Sequence, residues 1–445
     1  MKKDNLKLEI KSLVEKFINY LDKEKKEIFL ISHFDTDGIT SAAIMIQTLK
    51  KLDATFSVRI IKSLNKEFIE NLPRDKTILF LDLASGSLDY LGVCGIENIF
   101  IIDHHEITQQ IPKNVHIVNP FLCDKQKIST SGLVYLFCKE IDQSNKEFAK
   151  LAILGMIGDQ LEKEIDILNN GVIEDGEIKK KRGLLIYPST RPLNRTLEYS
   201  SNPYIPGVTG DREGVRELLR EANIPTPNGK YKSLIELTEQ EMQNLVTAII
   251  LRNPQTKNRE LIGDIFLIKF YNKLEDAREL SAMINACSRL GESSTALRFC
   301  MEVSEAKKQA EAVHVKYRQH LISGLEFVKK LDKIEGKGFV IINAKNEIKD
   351  TIIGTIASIL SHSPIYEEGT MIITMAYYED KIKISARNSG REGRNVKDVL
   401  EKVIDEIGGE IGGHEFAAGC LIKQNQEKEF IDLLKKNCEV ELVKI

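Results

Sequence analysis

The most constraining feature of this chain is a set of four short Asp- and His-containing clusters, each directly after an apolar run within the first 160 residues. Short runs of Ile, Leu and Phe are typical of strands buried on both faces of a parallel sheet. Carboxylates and imidazoles beside such runs are costly to bury unless they bind a metal or take part in chemistry. The clusters are His33-Phe34-Asp35-Thr36-Asp37-Gly38, Leu81-Asp82-Leu83, Asp103-His104-His105 and Gly158-Asp159-Gln160.

The first 170 residues alternate strand and helix patterns, which predicts an α/β domain with a doubly wound parallel sheet. Strands are predicted at Glu27–Ser32, Thr77–Leu83 and Asn98–Ile102, and a helix is predicted at Ile39–Lys51. In such sheets ligands bind outside the carboxyl ends of the strands, where the first three clusters fall. We therefore expect these clusters to meet at one edge of the sheet.

The rest of the chain divides into three segments after this first domain, residues 1–170. Six of the 11 prolines fall between Pro188 and Pro227, which predicts turns in an intermediate or inserted module at 171–300. Apolar residues then recur at three- and four-residue steps over Glu305–Lys330, which predicts a long connecting helix within 301–331, with Ser304 as its N-cap. A second, smaller α/β domain is predicted at 332–445.

The five Asp and three His of the clusters could hold two divalent cations side by side, an arrangement that commonly hydrolyses phosphate esters. His33 and Asp35 could bind one cation while Asp37 reaches the other, and Asp82 could contribute one oxygen to each. The simpler interpretation makes Asp37 and Asp82 caps of the turns that follow them, and either residue alone would fit it. Adjacent histidines behind four apolar residues, as in the third cluster, favour a functional site over core packing.

The net charge of −3 gives the whole chain no polycationic surface, so any groove for a nucleic acid has to be local. Basic runs are more often solvated surfaces than binding sites, but two of them are candidates. They are Lys179–Arg182 with Arg191 and Arg195, and the run Lys381, Lys383, Arg387, Arg391 and Arg394.

Seven widely spaced cysteines indicate reduced thiols. No apolar run approaches the ~18 residues of a membrane span, so we predict a cytoplasmic protein without a membrane partner.

Together the four clusters resemble the motifs of the DHH phosphoesterase superfamily, which is named after the third one. Near the carboxyl end, Gly412-Gly413-His414-Glu415-Phe416-Ala417-Ala418-Gly419 resembles the GGH loop of the DHHA1 substrate-binding domain. The chain is further similar to the archaeal RecJ-like exonucleases, including the GINS-associated nuclease. The stretches that carry this narrower resemblance are Arg191-Pro192-Leu193, Tyr204-Ile205-Pro206-Gly207, Asn285–Leu290 and Glu415-Phe416.

The resemblance implies a role for each motif residue around two Mn²⁺ ions, with Mg²⁺ or Co²⁺ as alternatives. Six residues would be metal ligands: His33 and Asp35 on one ion, Asp37, His104 and Asp159 on the other, and Asp82 between them. Two would serve catalysis: His105 would contact the scissile phosphate, and Asp103 would orient His104 or His105. Four would bind a substrate phosphate: Gly412, Gly413, His414 and Arg387. Arg391 and Arg394 extend this phosphate track by extrapolation.

The resemblance predicts a metal-dependent exonuclease that degrades single-stranded DNA or RNA in replication or repair, with a cleft between the metal site and the GGH loop. One alternative is a nano-RNase or a phosphodiesterase for short or cyclic oligonucleotides. Another is a replication scaffold that binds the GINS complex and the replicative helicase, although the intact set of ligand positions favours catalysis. Digestion polarity and the choice between DNA and RNA stay open. The aromatic content of 7% and the lack of Trp indicate no evident base-stacking platform.

Overall fold

The computed structural model separates the chain into two compact units. The first comprises Met1–Thr196, Ala222–Thr247 and Lys257–His314, and the second comprises Leu197–Glu221, Ala248–Thr256 and Val315–Ile445. The residues described are 5–24, 26–123, 125–163, 165–200, 203, 205–252, 261–363, 365–390 and 392–439. Within these ranges, none of the helices combines the length and the apolar composition that a bilayer crossing requires.

A parallel sheet in the order β2-β1-β3-β4-β5 organises the first unit. Its strands are β1 Ile28–His33, β2 Phe56–Ile61, β3 Thr77–Leu81, β4 Ile99–Ile102 and β5 Val115–Val118. The helices along this part are α1 Asn5–Glu24, α2 Thr36–Lys51, α3 Lys66–Glu70, α4 Leu88–Val93, α5 Thr130–Ile141, α6 Ala149–Gly158 and α7 Ile167–Asp175. Successive strand residues enter different cores: Leu30 and Leu79 pack on one face, and Ile31 and Ile78 on the other. Both faces are buried, which confirms the predicted doubly wound architecture.

The middle of the chain contributes a small antiparallel sheet in the order β6-β7-β8. Its strands are β6 Lys179–Leu184, β7 Ile262–Phe270 and β8 Lys273–Asp276. The helices are α8 Leu193–Glu198, α9 Arg212–Glu221, α10 Glu239–Arg252, α11 Ala277–Arg289 and α12 Ser293–Cys300. Phe266, Met283 and Phe299 join the core on one face of the parallel sheet, and α11 packs against α2 and α6. Residues 262–300 therefore share a hydrophobic core with the first domain.

One continuous helix, α13 Ser304–Lys330, follows, as the sequence predicts. Its first residue is Ser304, for which the sequence predicts the N-cap position directly before the helix. A mixed sheet in the order β13-β14-β12-β11-β10-β9 then organises the second unit. The remaining elements are β9 Ile334–Gly336, β10 Phe339–Asn343, α14 Asp350–Ser361, β11 Met371–Tyr378, β12 Lys381–Asn388, α15 Val396–Ile407, β13 Glu410–His414, β14 Ala417–Lys423 and α16 Glu427–Glu439. This separate sheet with its own core confirms the smaller α/β domain.

Candidate metal centre

The carboxyl ends of three neighbouring strands bring the Asp and His clusters to one edge of the parallel sheet. His33 ends β1, Asp82 follows β3 and Asp103 follows β4. The strand order places β3 between β1 and β4, so the residues that follow these strands are brought close together. Strand order also reverses between β1 and β3, which is the usual position of a ligand site in an open α/β sheet.

Asp35 caps the helix that follows β1. Its Oδ1 accepts a hydrogen bond of 3.0 Å from the Gly38 amide, and its Oδ2 lies 3.0 Å from His33 Nδ1. The helix begins at Thr36, so Asp37 lies in its first turn rather than before it. The cap role that the simpler interpretation gave to Asp37 therefore belongs to Asp35. Gly38 permits this turn, because a Cβ there would lie 2.3 Å from the carbonyl oxygen of His33.

The N-terminus of α5 fixes the Asp37 carboxylate, which is buried. The backbone N–H groups of Thr130 and Ser131 donate to its Oδ2 and Oδ1 at 2.7 and 2.9 Å. Unpaired amides at a helix N-terminus favour a negative charge there. Thr130 Oγ1 also donates to Asp82 Oδ1 at 3.0 Å. Sequence reasoning missed Thr130 and Ser131, although a Ser/Thr run before an apolar stretch is a helix-start signal.

Asp82 has an unusual backbone conformation, and its carboxylate is buried among other negative charges. Its φ is +60° and that of Ala84 is +89°, so two non-glycine residues lie in the left-handed region directly after β3. Its side chain is 1% exposed, and its Oδ2 makes no hydrogen bond to any described residue. Burial, together with the neighbouring charges of Asp35 and Asp37, raises the pKa of Asp82 well above its usual range. A cation at this place would remove that cost.

His104 is held in the tautomer that a metal ligand needs. Its Nδ1 donates to the Ile128 carbonyl oxygen at 3.2 Å, because that oxygen can only accept. In a neutral ring, Nε2 then carries the free lone pair. Nε2 lies 3.7 Å from both Asp82 Oδ1 and Asp159 Oδ2. Asp159 follows α6, and burial together with the charge of Asp37 raises its pKa well above its usual range.

His105 is oriented by Asp103 and turned toward solvent. Its Nδ1 donates to Asp103 Oδ1 at 2.7 Å, while the Ser85 amide donates to Asp103 Oδ2 at 3.0 Å. Burial disfavours a charged His105 ring, but its hydrogen bond and attraction to Asp103 outweigh this and raise the pKa of His105 to about 9. The side chain is 56% exposed. Asp103 contacts Nδ1, so Nε2 is left available for another partner. Of the two expected targets of Asp103, the hydrogen bond is to His105.

Three groups of side chains offer ligand atoms that lie within 4.8 Å of one another. The groups are His33-Asp35-Asp82, Asp37-His104-Asp159 and Asp82-His104-His105. Within the described chain, Asp82 Oδ2 and Asp159 Oδ2 are buried without a hydrogen bond, and the contact of His33 Nδ1 with Asp35 lacks hydrogen-bond geometry. Mixed imidazole and carboxylate donors suit divalent ions such as Mn²⁺. These residues therefore fit two divalent cations, and the first two groups match the sets assigned from the sequence.

Two cations of the first basic stretch make internal contacts within the first unit. Arg191 pairs with Glu279 at 3.2 Å and with Glu275 at 3.6 Å. The Lys181 ammonium donates to the carbonyl oxygens of Ile235 and Leu237 at 2.6 and 2.9 Å. These two cations stabilise the middle of the chain, so they do not support the expectation of a polyanion groove there.

The GGH segment lies in the edge strand β13 and not in a loop. The loop was implied by the resemblance to the DHHA1 domain, and glycine is uncommon in strands. At Gly413, φ is +134° and a Cβ would lie 2.5 Å from the Ala417 carbonyl oxygen, so glycine is required there. Arg387, Ala417 and His414 are aligned across β12, β14 and β13, which places their side chains on one face of the sheet. Gly412 aligns with Gly419 in the next row of that face.

Two cations border this face within the second unit. The Arg387 guanidinium donates to Ser358 Oγ and to the Ala418 carbonyl oxygen, each at 3.2 Å. The Lys383 ammonium lies 3.6 Å from where a Gly419 Cβ would be, and burial lowers the pKa of Lys383. Sequence reasoning noted Lys383 only as part of a basic run. Arg394 accepts a hydrogen bond from Asn388 through its backbone oxygen, and Arg391 lies outside the described residues.

Relatives of known sequence cover different shares of the chain. A protein of Methanocaldococcus jannaschii without a characterised function is 28% identical over 439 residues, 95% of this chain and 94% of its own length. A prophage-derived protein of Bacillus subtilis, named a single-strand DNA-specific exonuclease, is 25% identical over 284 residues. That match covers 57% of this chain and 48% of the Bacillus protein, so the chain spans about half of that relative.

Solved structures share the fold over nearly the whole chain. RecJ of Thermus thermophilus, crystallised with Mn²⁺ and with Mg²⁺, superposes in its Mn²⁺ form with a TM-score of 0.61 and 18% identity. The superposition covers 97% of this chain and 55% of RecJ. CDC45 of Entamoeba histolytica superposes with a TM-score of 0.66 and 14% identity, covering 96% of this chain and 99% of CDC45.

Models of three domain families match the sequence in the order in which the folds occur. The DHH family N-terminal domain matches residues 27–156, which include the first three clusters. The DHH-CID domain matches 186–259, and the DHHA1 domain matches 306–439, which include the GGH segment. The chain therefore belongs to the DHH/DHHA1 phosphoesterase superfamily.

Proposed function

We propose that the protein is a two-metal phosphodiesterase, a RecJ-like exonuclease that degrades single-stranded DNA or RNA in replication or repair in the cytoplasm. The main support is the two groups of ligand atoms, His33-Asp35-Asp82 and Asp37-His104-Asp159. Each group contains a buried carboxylate oxygen without a hydrogen bond to any described residue. The hydrolytic character of the superfamily supports the reaction type. The similarity to the Bacillus exonuclease and to the RecJ fold supports the substrate class.

Each part of the centre would have a separate task. His33 and Asp35 would hold one ion, Asp37, His104 and Asp159 would hold the other, and Asp82 would be a ligand of both. Bound Mn²⁺, or Mg²⁺ or Co²⁺ in its place, would supply hydroxide at neutral pH and neutralise charge on the phosphoryl oxygens.

The chain's own contribution to the reaction is to orient groups around the phosphate. Asp103 fixes the His105 ring through Nδ1, so Nε2 is left for a phosphoryl oxygen. Arg387, His414 and the amides of Gly412 and Gly413 would bind a further phosphate of the strand within the second unit.

Asp103→Asn is expected to lower the turnover number by about 10- to 100-fold while two Mn²⁺ ions still bind. Asp103 holds His105 through two hydrogen bonds, from its amide and from Nδ1, and makes none to a proposed metal ligand. The measurements are the initial rate on a single-stranded oligonucleotide and the Mn²⁺ stoichiometry by equilibrium dialysis. Asp405→Asn, at an exposed position of α15, is the control. Loss of Mn²⁺ in proportion to activity would assign Asp103 to metal binding instead.

The decisive test uses single-stranded DNA and RNA oligomers that carry a label at the 5′ or the 3′ end. With Mn²⁺, we expect the wild-type protein to release mononucleotides from one end, while Asp82→Ala and His104→Ala do not. Because each substrate has one labelled end, the same experiment reports digestion polarity and nucleic-acid preference. Cleavage restricted to two- to four-residue substrates would instead indicate an oligonucleotide phosphodiesterase. Equal activity in the wild type and both variants would refute the assignment, since the activity would then come from a contaminant.

A replication scaffold that binds GINS and the replicative helicase is the second candidate, supported by the fold similarity to CDC45. It predicts association with those proteins that persists in Asp82→Ala. The two roles are compatible in one protein, and the nuclease assay and a binding assay separate them.

A further inference from the structure

We propose that residues 119–123 and 125–129, here called the rim loop, form a base-stacking platform beside the metal centre, with Phe121 as the stacking ring and Lys125 as its cationic neighbour. This inference rests on the proposed function, since it identifies what holds the nucleotide next to the reacting phosphate. The loop connects β5 to α5, and every contact that carries the argument lies within the first unit.

Both ends of the rim loop are tied to the adjacent histidines of the centre. At its start, Asn119 Nδ2 donates to the His105 carbonyl oxygen at 2.8 Å and to Ser85 Oγ at 3.0 Å. Near its end, the Ile128 carbonyl oxygen accepts the hydrogen bond from His104 Nδ1. Asn119 is 1% exposed, so this attachment is buried. The loop is therefore positioned by the same residues that would contact the ions and the phosphate.

The middle of the loop presents apolar surface to solvent in spite of this attachment. Phe121 is 38% exposed and Leu122 is 44% exposed, in a 3₁₀ turn over Pro120–Leu122. The turn is held by hydrogen bonds, from the Phe121 amide to Asn119 Oδ1 at 2.9 Å and from the Lys125 amide to the Pro120 carbonyl oxygen at 3.0 Å. Phe121 thus stands on a constrained backbone, which lowers the entropic cost of binding a ligand to it.

The chemistry of this surface fits a nucleotide. The Lys125 ammonium lies over the Phe121 ring, 5.8 Å from its centroid, so an aromatic ring and a cation are neighbours on this surface. A nucleobase that displaces the ammonium from the ring can stack there while its phosphate meets the cation, and stacking is tolerant of sequence because every base has a π-face. The rim loop therefore supplies the platform that composition alone did not reveal.

The test compares ordinary single-stranded oligonucleotides with oligonucleotides whose terminal residues are abasic, in the presence of Mn²⁺. Phe121→Ala is expected to raise KM for the ordinary strand by roughly 5- to 150-fold, the effect of losing one stacked base. It should leave kcat/KM for the abasic strand unchanged, and Phe121→Tyr should restore the wild-type value. Tyr90→Ala, an exposed aromatic on α4 outside the loop, is the matched control.

A purely structural role for Phe121 would give a different pattern. Equal losses on ordinary and abasic strands would overturn the inference, since the loop would then only support the histidines. If the wild type cleaves neither strand, the proposed function fails and fluorescence anisotropy decides the inference alone. The inference is supported if the wild type binds abasic strands more weakly than ordinary strands and Phe121→Ala binds both equally. Binding that does not depend on the bases would overturn it.

Discussion

Asp82→Asn is expected to stabilise the metal-free protein while it abolishes Mn²⁺-dependent hydrolysis. Asp82 Oδ2 is buried without a hydrogen bond to any described residue, and an unpaired carboxylate is more costly to bury than the neutral amide that replaces it. The amide also removes repulsion by the neighbouring carboxylates, and Asn tolerates the left-handed backbone at this position. Hydrolysis should fall by about 10³-fold or more, because metal stabilisation of the transition state is worth several kcal/mol and each 1.4 kcal/mol is tenfold.

Two measurements on the same variant check this expectation. Thermal unfolding after EDTA treatment should show a higher Tm for Asp82→Asn than for the wild type. Added Mn²⁺ should raise the Tm of the wild type, because binding at a 100-fold excess over Kd increases the free energy of unfolding by about 2.7 kcal/mol. The Tm of the variant should not change. Asp405→Asn should behave as the wild type in both assays. A variant that keeps its response to Mn²⁺ would show that Asp82 is not a shared ligand.

Gly155→Ala is expected to disrupt the centre from within α6, although the residue carries no functional group. A Cβ at this position would lie 2.1 Å from Ser131 Oγ, 2.5 Å from Asp37 Oδ1 and 2.6 Å from Thr40 Oγ1. Forcing a methyl group into such a core costs about 1–3 kcal/mol. It also displaces the Asp37 carboxylate from the amides of α5, so we expect a 10- to 100-fold loss of Mn²⁺ affinity.

Gly171→Ala is the matched control, because this glycine also lies in a helix of the first unit, but outside its own helix backbone no described heavy atom lies within 4 Å of the added Cβ. Alanine there should stabilise the protein by about 0.5–1 kcal/mol through its higher helix propensity. Chemical denaturation and Mn²⁺ titration of both variants are the measurements. If Gly155→Ala matched Gly171→Ala in both, the packing around Asp37 would not control the centre.

The strands and the Asp and His clusters could be predicted because their signals are local. An apolar run with a charged residue at its end is visible within about six positions, as at Asp82 and Asp103. The supporting contacts of Thr130, Ser131 and Asn119 could not be found in this way, because the partner of each is set by the fold. Thr130 meets Asp37 across 93 positions, for example. Gly155 has the sequence context of an ordinary small residue in an apolar helix, and only the fold shows that it lies against Asp37.

Two local predictions differed from the structure for identifiable reasons. The helix after β1 begins at Thr36 instead of Ile39, because the Asp35 side chain caps it and draws Asp37 and Gly38 into the first turn. The GGH segment pairs with β14 despite its glycines, since an edge strand allows the positive φ of Gly413. The sequence places residues 262–300 in an intermediate module, and nothing local to them indicates which core they join.

The packing of α11 on α2 affects how this protein is made. Every proposed metal ligand has been synthesised by residue 159, yet α2 is covered by a helix that begins at Ala277, and Thr36 Oγ1 bonds to the Ser281 carbonyl oxygen at 3.3 Å. The nascent chain therefore carries its cluster of carboxylates with one side unsupported while more than a hundred further residues are translated. These side chains can therefore reach their final arrangement only after the chain has emerged from the ribosome well past α11.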